Sequence, residues 1–242
     1  MPDFVELWIY LSSSPLFGLS STLVVYLSAN ALYERLGQHP LANPVLWSVI
    51  VLAAGLIVFG VPYPSYFAGA QFIHFLLGPA VVALGWPLWV RRQELKRHMV
   101  RLLLAALVGG AVASISAVGL SFALGLPGDI TLSLVPKSVT APVAMGIAEK
   151  IGGQPALSAV FAVLTGLVGA LSGKYLFDWF RVPRDHAGWA ARGFALGTVS
   201  HGIGSARAIQ VNADAGAYAG LALGLQVILS ALLIPVVFRW IS

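Results

Sequence analysis

The stretch SLVPKSVTAPVAMGIAEKIGG, residues 133–153, decides the fold because it is apolar yet cannot form one continuous helix. Pro136 and Pro142 each lack an amide donor, and each clashes with the turn before it. Backbone groups are therefore freed between them. In a bilayer, such groups are tolerated only where they are buried in protein or line a wet cavity. The stretch predicts a broken membrane segment.

Most of the remaining chain has the character of membrane-spanning helix. Of its 242 residues, 58% are hydrophobic and 10% are charged, and the mean hydropathy is +0.87. Soluble domains carry about 25% charged residues. Runs of about 20 apolar residues, the length that crosses about 30 Å of hydrocarbon, recur along the chain. An all-α integral membrane protein is predicted, with spanning helices at 16–33, 45–61, 102–124, 155–177 and 217–238.

Composition also limits the function. The chain has no cysteine, which excludes disulfides and cysteine-ligated metals. It carries no HExxH motif, Walker loop or carboxylate cluster, so neither a metal nor a cofactor is predicted. The net charge of +5 is accounted for by cytoplasmic loops, and no nucleic-acid partner is expected. A single membrane domain over 1–242 is predicted.

Two basic runs set the predicted topology. RRQELKRHMVR at 91–101 and DWFRVPRDHAGWAAR at 178–192 are expected in cytoplasmic loops, because positive residues are retained on that side. This assignment puts Arg239 inside and Asp214 outside. It also requires the segment 131–153 to enter and leave on the outer side as a re-entrant hairpin.

The second interrupted segment is GFALGTVSHGIGSARAIQVNADAG, residues 193–216. Read as one helix, it places Gly197, His201 and Ser205 on a common face. Arg207 is costly inside a membrane and offers a planar fork that matches a carboxylate. Pairing of Arg207 with Asp214 near the outer interface is the alternative interpretation.

Donors for an anion are concentrated in these two segments. The ammonium of Lys137 stands beside the hydroxyls of Ser138 and Thr140 in the first break. Lys137 could instead snorkel from a helix end. His201 could carry a proton or could simply be hydrogen-bonded structure. A hydrolase using Ser205 with His201 lacks an orienting acid, so no enzyme is predicted.

Together the two segments predict one binding site. Two interrupted segments are typical of inverted-repeat transporters, and about seven or eight membrane segments are predicted, two of them broken or re-entrant with tips meeting near mid-membrane. The polar side chains that these segments offer to a substrate are Lys137, Ser138, Thr140, Ser200, His201, Ser205 and Arg207. The residues predicted to break helices or to permit close helix packing are Pro136, Pro142, Gly197, Gly202 and Gly204.

The same segments resemble the LrgB/CidB family, through SLVPKSVTAPVAMGIAEKIGGQPALSAVFAVLTG, ARGFALGTVSHGIGSARAIQ and LLGPAVVALGWPLW. This resemblance implies a multi-pass protein of the bacterial inner membrane that works with a small LrgA/CidA-like membrane protein. It also implies that the seven polar side chains named above are substrate ligands. A plastid relative translocates glycolate and glycerate, and bacterial members are linked to pyruvate uptake. Members are also described as holin-like or antiholin-like modulators of murein hydrolase export and autolysis.

The sequence therefore predicts one of two functions. The first is transport of small 2-oxo or 2-hydroxy monocarboxylates by alternating access, since such an anion needs a cation and several neutral donors. The alternative is modulation of a pore formed by a partner, without a dedicated substrate. A homodimer within the lipid bilayer is a further expectation.

Overall fold

A computed structural model of the protein describes residues 15–76, 79, 89 and 92–241, and within these ranges it contains helices and no strand. Residues 1–14, Arg91 and most of the apolar run 76–89 lie outside the described residues. The chain divides into two compact units, Met1–Ala83 and Leu84–Ser242. The single domain stays a prediction.

In the first unit, one long helix packs against two shorter ones. The Thr22 and Tyr66 hydroxyls lie 2.7 Å apart, and a Cβ on Gly18 would lie 2.0 Å from the Tyr66 carbonyl oxygen. Asn43 caps the second helix through its side-chain oxygen, which accepts from two backbone amides. The helices are α1 (Pro15–Arg35), α2 (Pro44–Val58) and α3 (Tyr63–Phe75).

The second unit contains six described helices, which are α4 (Arg92–Ala123), α5 (Gly128–Leu134), α6 (Ala141–Ile151), α7 (Pro155–Trp179), α8 (His186–Val211) and α9 (Ala213–Ile241). Four helices in the described ranges, α1, α4, α7 and α9, are long and apolar enough to cross a membrane. The predicted all-α, multi-pass membrane class is confirmed. With 15 residues, α2 is shorter than the predicted span 45–61, and the count of seven or eight segments stays a prediction.

The first basic run is not a loop as predicted, because helix α4 already begins at Arg92. Arg101 of this helix lines one cavity with Ala190 and Ala191 of α8, so α4 begins near the end where α7 finishes and α8 starts. We call this the basic end. At the other end of α4, the Ser121 and Thr131 hydroxyls lie 2.6 Å apart.

Residues 128–153 form a re-entrant hairpin, which we call hairpin 1. Its entering helix α5 and returning helix α6 are separated by an irregular tip, residues 135–140. The Gln154 amide Nε2 donates to Asp129 Oδ2 over 2.6 Å, and the Gln154 backbone amide donates to Ser133 Oγ over 2.7 Å. Entrance and exit therefore lie together, as the re-entrant prediction requires.

Helix α8 is a second re-entrant segment, hairpin 2, broken at one residue. His201 has φ 41° and ψ −132°, which no helix accommodates. A Cβ on Gly204 would lie 2.8 Å from the Leu196 carbonyl oxygen, although eight residues of continuous helix span about 12 Å. His186 Nδ1 lies 2.8 Å from Asp214 Oδ2, so the chain returns to the end where it entered.

This return corrects three predictions. Asp214 lies beside His186 at the basic end, on the same side as the second basic run, whereas it was predicted on the opposite side. Helix α9 therefore runs away from the basic end and carries Arg239 to the far end, whereas Arg239 was predicted on the side of the two basic runs. The common helical face of Gly197, His201 and Ser205 is also wrong, because the break falls within it.

Candidate functional site

The two hairpin tips border one cavity of about 510 Å³, which we call the α7 cavity. It lies between α7 and the entering arm of hairpin 2, and it extends to Phe177 near the basic end. Most of its walls are apolar. Four polar side chains line it, namely Lys137, Thr165, Ser172 and Ser200.

Lys137 supplies the positive charge of this cavity. Hairpin 1 places it in the irregular tip, one residue after Pro136, where the side chain is partly buried. Its ammonium donates one hydrogen bond to the Ala113 carbonyl of α4, at 3.2 Å. An ammonium has three donors, so capacity is left for a carboxylate. A cation among apolar walls calls for such a counter-ion.

Ser200 reaches the cavity because glycines of α7 let hairpin 2 approach closely. An ideal Cβ on Gly169 would lie 1.7 Å from the Ser200 hydroxyl oxygen, and one on Gly166 would lie 2.9 Å from the His201 ring. A Cβ on Gly173 would lie 2.8 Å from the Leu196 side chain. The glycine face of α7 therefore holds the tip of hairpin 2 in place.

His201 and Ser205 bond to the backbone and do not line the α7 cavity. His201 Nε2 lies 2.7 Å from the Ala162 carbonyl oxygen, which can only accept, so Nε2 donates. The Ser205 hydroxyl lies 2.8 Å from the His201 carbonyl and 3.2 Å from the Ala219 carbonyl. Both side chains stabilise the break in hairpin 2.

Three predicted ligands lie away from the α7 cavity lining. Arg207 is buried on the returning arm of hairpin 2. Ser138 is buried in the tip of hairpin 1, and Thr140 precedes the first residue of α6. The structure thus brings Lys137 and Ser200 to one cavity. The binding roles of all these residues stay predictions.

Only some of the residues predicted to permit close helix packing make close contacts. A Cβ on Gly197 would lie 2.1 Å from the Ala219 carbonyl oxygen, so this glycine permits close contact with α9, and Gly204 permits contact with Leu196. Gly202 has nothing within 4 Å of an ideal Cβ, so its predicted close-packing role is wrong. Pro136 lies in the tip of hairpin 1, and Pro142 lies in the first turn of α6.

Sequence reasoning missed the contribution of α7. It treated 155–177 as an ordinary span, although Thr165 lines the cavity and Gly166, Gly169 and Gly173 hold hairpin 2. The signal was present in TGLVGALSG, whose glycines recur at spacings of three and four and so share one helix face.

Ionic contacts lie next to the basic end of the same cavity. Arg192, predicted in a loop, is a buried residue of α8, and its Nη2 lies 3.0 Å from Asp178 Oδ1. Arg184 pairs with the other oxygen of Asp178 at 3.0 Å. The Arg192 guanidinium also lies 5.5 Å from the ring centre of Phe177, which lines the cavity. These contacts tie the end of α7 to the start of α8.

The chemistry of the site suits a small anion. In the described part of the chain, no group of three His, Cys, Asp or Glu side chains could hold a metal. The α7 cavity instead offers one cation and neutral hydroxyl donors within apolar walls. Such a set can bind a monocarboxylate through charge-assisted hydrogen bonds.

Comparisons with known proteins extend over nearly the whole chain. Residues 22–240 match the family model described as LrgB-like. The uncharacterized protein YxaC of Bacillus subtilis is 36% identical over 216 residues, covering 89% of this chain and 92% of YxaC. The holin-like protein CidB of Staphylococcus aureus is 30% identical with the same coverage. No solved structure matches the chain.

Proposed function

Because this chain belongs to the LrgB-like family, whose model matches residues 22–240, we propose that it transports small 2-oxo or 2-hydroxy monocarboxylates across a bacterial cytoplasmic membrane. The observation that supports transport is the α7 cavity, which is lined by Lys137 and Ser200 from the two hairpin tips and by Thr165 of α7. Irregular backbone at membrane depth is typical of substrate sites in transporters.

In this proposal, the carboxylate binds the ammonium of Lys137, and its remaining oxygens accept from Thr165 and Ser200. A 2-oxo or 2-hydroxy group adds one more polar atom and still fits a cavity of about 510 Å³. Apolar walls raise the cost of leaving any of these groups without a partner, which favours acids over uncharged solutes. Pyruvate, glycolate and glycerate have this chemistry.

The transport cycle assigned to the site is alternating access, in which one hairpin and its neighbouring helix move against the other. A small LrgA/CidA-like membrane protein and a second copy of this chain are proposed partners. The protein is proposed not to be an enzyme. In support, Ser205 and His201 each bond to backbone carbonyls rather than to one another's side chains.

A holin-like or antiholin-like function is the second candidate, and the name of the Staphylococcus aureus relative favours it. Under this hypothesis the protein modulates a pore made by a partner and thereby affects murein hydrolase export. Tight packing at residues such as Gly197 and Gly204 would then matter more than the charge of Lys137. Solutes would leak without selection among similar acids.

The test is uptake of labelled pyruvate, glycolate and glycerate into proteoliposomes, with the protein alone and with the small partner. Transport predicts saturable uptake that unlabelled acid inhibits and labelled glucose does not share. Uptake of all solutes at similar rates would support the pore hypothesis. Folded protein that moves none of these acids, with or without the partner, would overturn the transporter proposal.

A further inference from the structure

A second cavity, of about 400 Å³, lies between α4 and α9, and we call it the α9 cavity. Its polar lining residues are Ser114, Gln226 and Ser230. The Gln226 side chain is only 4% exposed, and its Nε2 donates to the Ser230 hydroxyl over 3.2 Å. Its buried Oε1 has no hydrogen-bond partner within the described ranges. Buried acceptors are normally paired, so the cavity fits a polar ligand.

The α9 wall of this cavity repeats the α7 wall of the first. Thr165 and Phe177 line the α7 cavity, and Gln226 and Phe238 line the α9 cavity at the same mutual spacing. Each α9 residue that lines the α9 cavity can be shifted back along the sequence by the separation between Thr165 and Gln226. Every such shift gives a residue of α7 that lines the α7 cavity. The same shift also superposes the sequence FDW, which begins at Phe177, on FRW, which begins at Phe238.

The hairpins that precede these helices are related by the same separation in sequence. In hairpin 1, the Ser158 hydroxyl of α7 donates to the Ala144 carbonyl over 3.3 Å. In hairpin 2, the Ser205 hydroxyl donates to the Ala219 carbonyl of α9 over 3.2 Å. This separation pairs Ala144 with Ser205 and Ser158 with Ala219, so the contact recurs with the serine on the other partner. Because α7 and α9 run in opposite directions, hairpin 1 with α7 and hairpin 2 with α9 form an inverted repeat.

The tip of hairpin 1 separates the two cavities. Lys137 lines the α7 cavity, while Val135, two residues earlier, lines the α9 cavity. The Lys137 ammonium bonds to the carbonyl of Ala113, whose neighbour Ser114 lines the α9 cavity. From this tip, the α7 cavity extends toward the basic end and the α9 cavity extends toward the far end at Phe238.

We propose that the α9 cavity is the second half of the transport route, with Gln226 as a binding station for the same monocarboxylate. This inference rests on the proposed transport function. An amide offers donors to the carboxylate and an acceptor to a 2-hydroxyl group. Lys137 lies between two half-routes that lead to opposite sides of the membrane.

The experiment uses this naturally cysteine-free chain. Ser172→Cys in the α7 cavity and Leu233→Cys in the α9 cavity are equivalent positions of the repeat. Each is exposed to a membrane-impermeant thiol reagent in right-side-out and in inside-out vesicles. Leu232→Cys, on the exposed outer face of α9, is the matched control. Labelling is expected from opposite sides for the two cavity positions, slower with pyruvate or glycolate present, and absent for the control.

Labelling of Leu233→Cys from the same side as Ser172→Cys, or no labelling of it from either side, would overturn the second half-route. Uptake by the wild type decides the transport proposal separately. As a further measurement, Gln226→Leu should reduce glycolate uptake, whereas Gln71→Leu, an exposed glutamine of α3, should not. Unchanged uptake by Gln226→Leu would remove Gln226 from the route.

Discussion

Hairpin 1 and hairpin 2 both turn back at membrane depth, but they do so by different chemistry. Hairpin 1 uses two prolines and a tip of several irregular residues, 135–140. Hairpin 2 uses one residue, His201, held by a bond to the Ala162 carbonyl. The first tip presents a charge to the α7 cavity, whereas hairpin 2 is held by close glycine contacts with α7 and α9.

The difference indicates that hairpin 1 mainly binds the ligand and that hairpin 2 mainly provides close packing. The irregular tip of hairpin 1 frees Lys137 to face a ligand, because no regular helix engages its neighbours. Hairpin 2 depends on close backbone contact, so its shape should be far less tolerant of added atoms. The following substitutions test this contrast between a ligand-binding tip and a packing tip.

The largest effect is expected for Gly197→Ala in hairpin 2. Its new methyl group would lie 2.1 Å from the Ala219 carbonyl oxygen, and backbone cannot rotate away. We expect the free energy of unfolding to fall by about 1–3 kcal/mol, measured by thermal or denaturant unfolding in detergent. Gly202→Ala, with nothing within 4 Å, is the control. Equal stability of the two variants would contradict the packing role.

A smaller effect on stability, but a clear one on transport, is expected for Gly169→Ala. The methyl group would lie 1.7 Å from the Ser200 hydroxyl oxygen and 2.7 Å from its Cβ, so the tip of hairpin 2 must move. Uptake should fall about tenfold, equivalent to about 1.4 kcal/mol. Gly146→Ala in hairpin 1 meets nothing and should transport normally. Equal uptake by Gly169→Ala and Gly146→Ala would contradict the role of Gly169 in positioning hairpin 2.

Removal of one hydroxyl should have a moderate effect. Ser200→Ala deletes one neutral donor of the α7 cavity, and a hydrogen bond of that kind contributes about 0.5–1.5 kcal/mol. The apparent KM for glycolate should therefore rise by roughly two- to tenfold. Ser21→Ala serves as the control, since that hydroxyl bonds to the Gly18 carbonyl within its own helix, α1. An unaltered KM would exclude Ser200 as a ligand.

The smallest effect is expected where hairpin 1 closes at its base. Gln154→Ala removes the exposed bond to Asp129, while the bond from the residue 154 backbone amide to Ser133 remains. Unfolding free energy should decrease by about 1 kcal/mol or less. A loss as large as that of Gly197→Ala would show that hairpin 1 also depends on tight closure.

Sequence reasoning predicted both interrupted segments, but it did not predict that hairpin 2 turns back at His201, and the reason is physical. Proline changes the backbone covalently, so Pro136 and Pro142 indicate a break in the helix from the sequence alone. His201 adopts non-helical torsions only because surrounding groups hold it, and no residue type near it requires a turn. The error over Asp214 follows directly, since the return of hairpin 2 reverses the direction assigned to α9.

The site was also predicted only in part. Lys137 and Ser200 could be chosen because a charge and hydroxyls in broken apolar segments are unusual in membranes. Thr165 could not, because it lies in an uninterrupted helix and its position depends on which face α7 turns to the hairpins. Arg207 was chosen for its charge, and the cavity lining does not include it.

The central claim is that Lys137 in the tip of hairpin 1 binds the carboxylate. The most direct measurement is binding of labelled pyruvate and glycolate to purified protein, comparing Lys137→Met with Lys174→Met, an exposed lysine of α7. We predict that binding is lost in Lys137→Met and retained in Lys174→Met, with both proteins folded. Wild-type affinity in Lys137→Met would contradict the account.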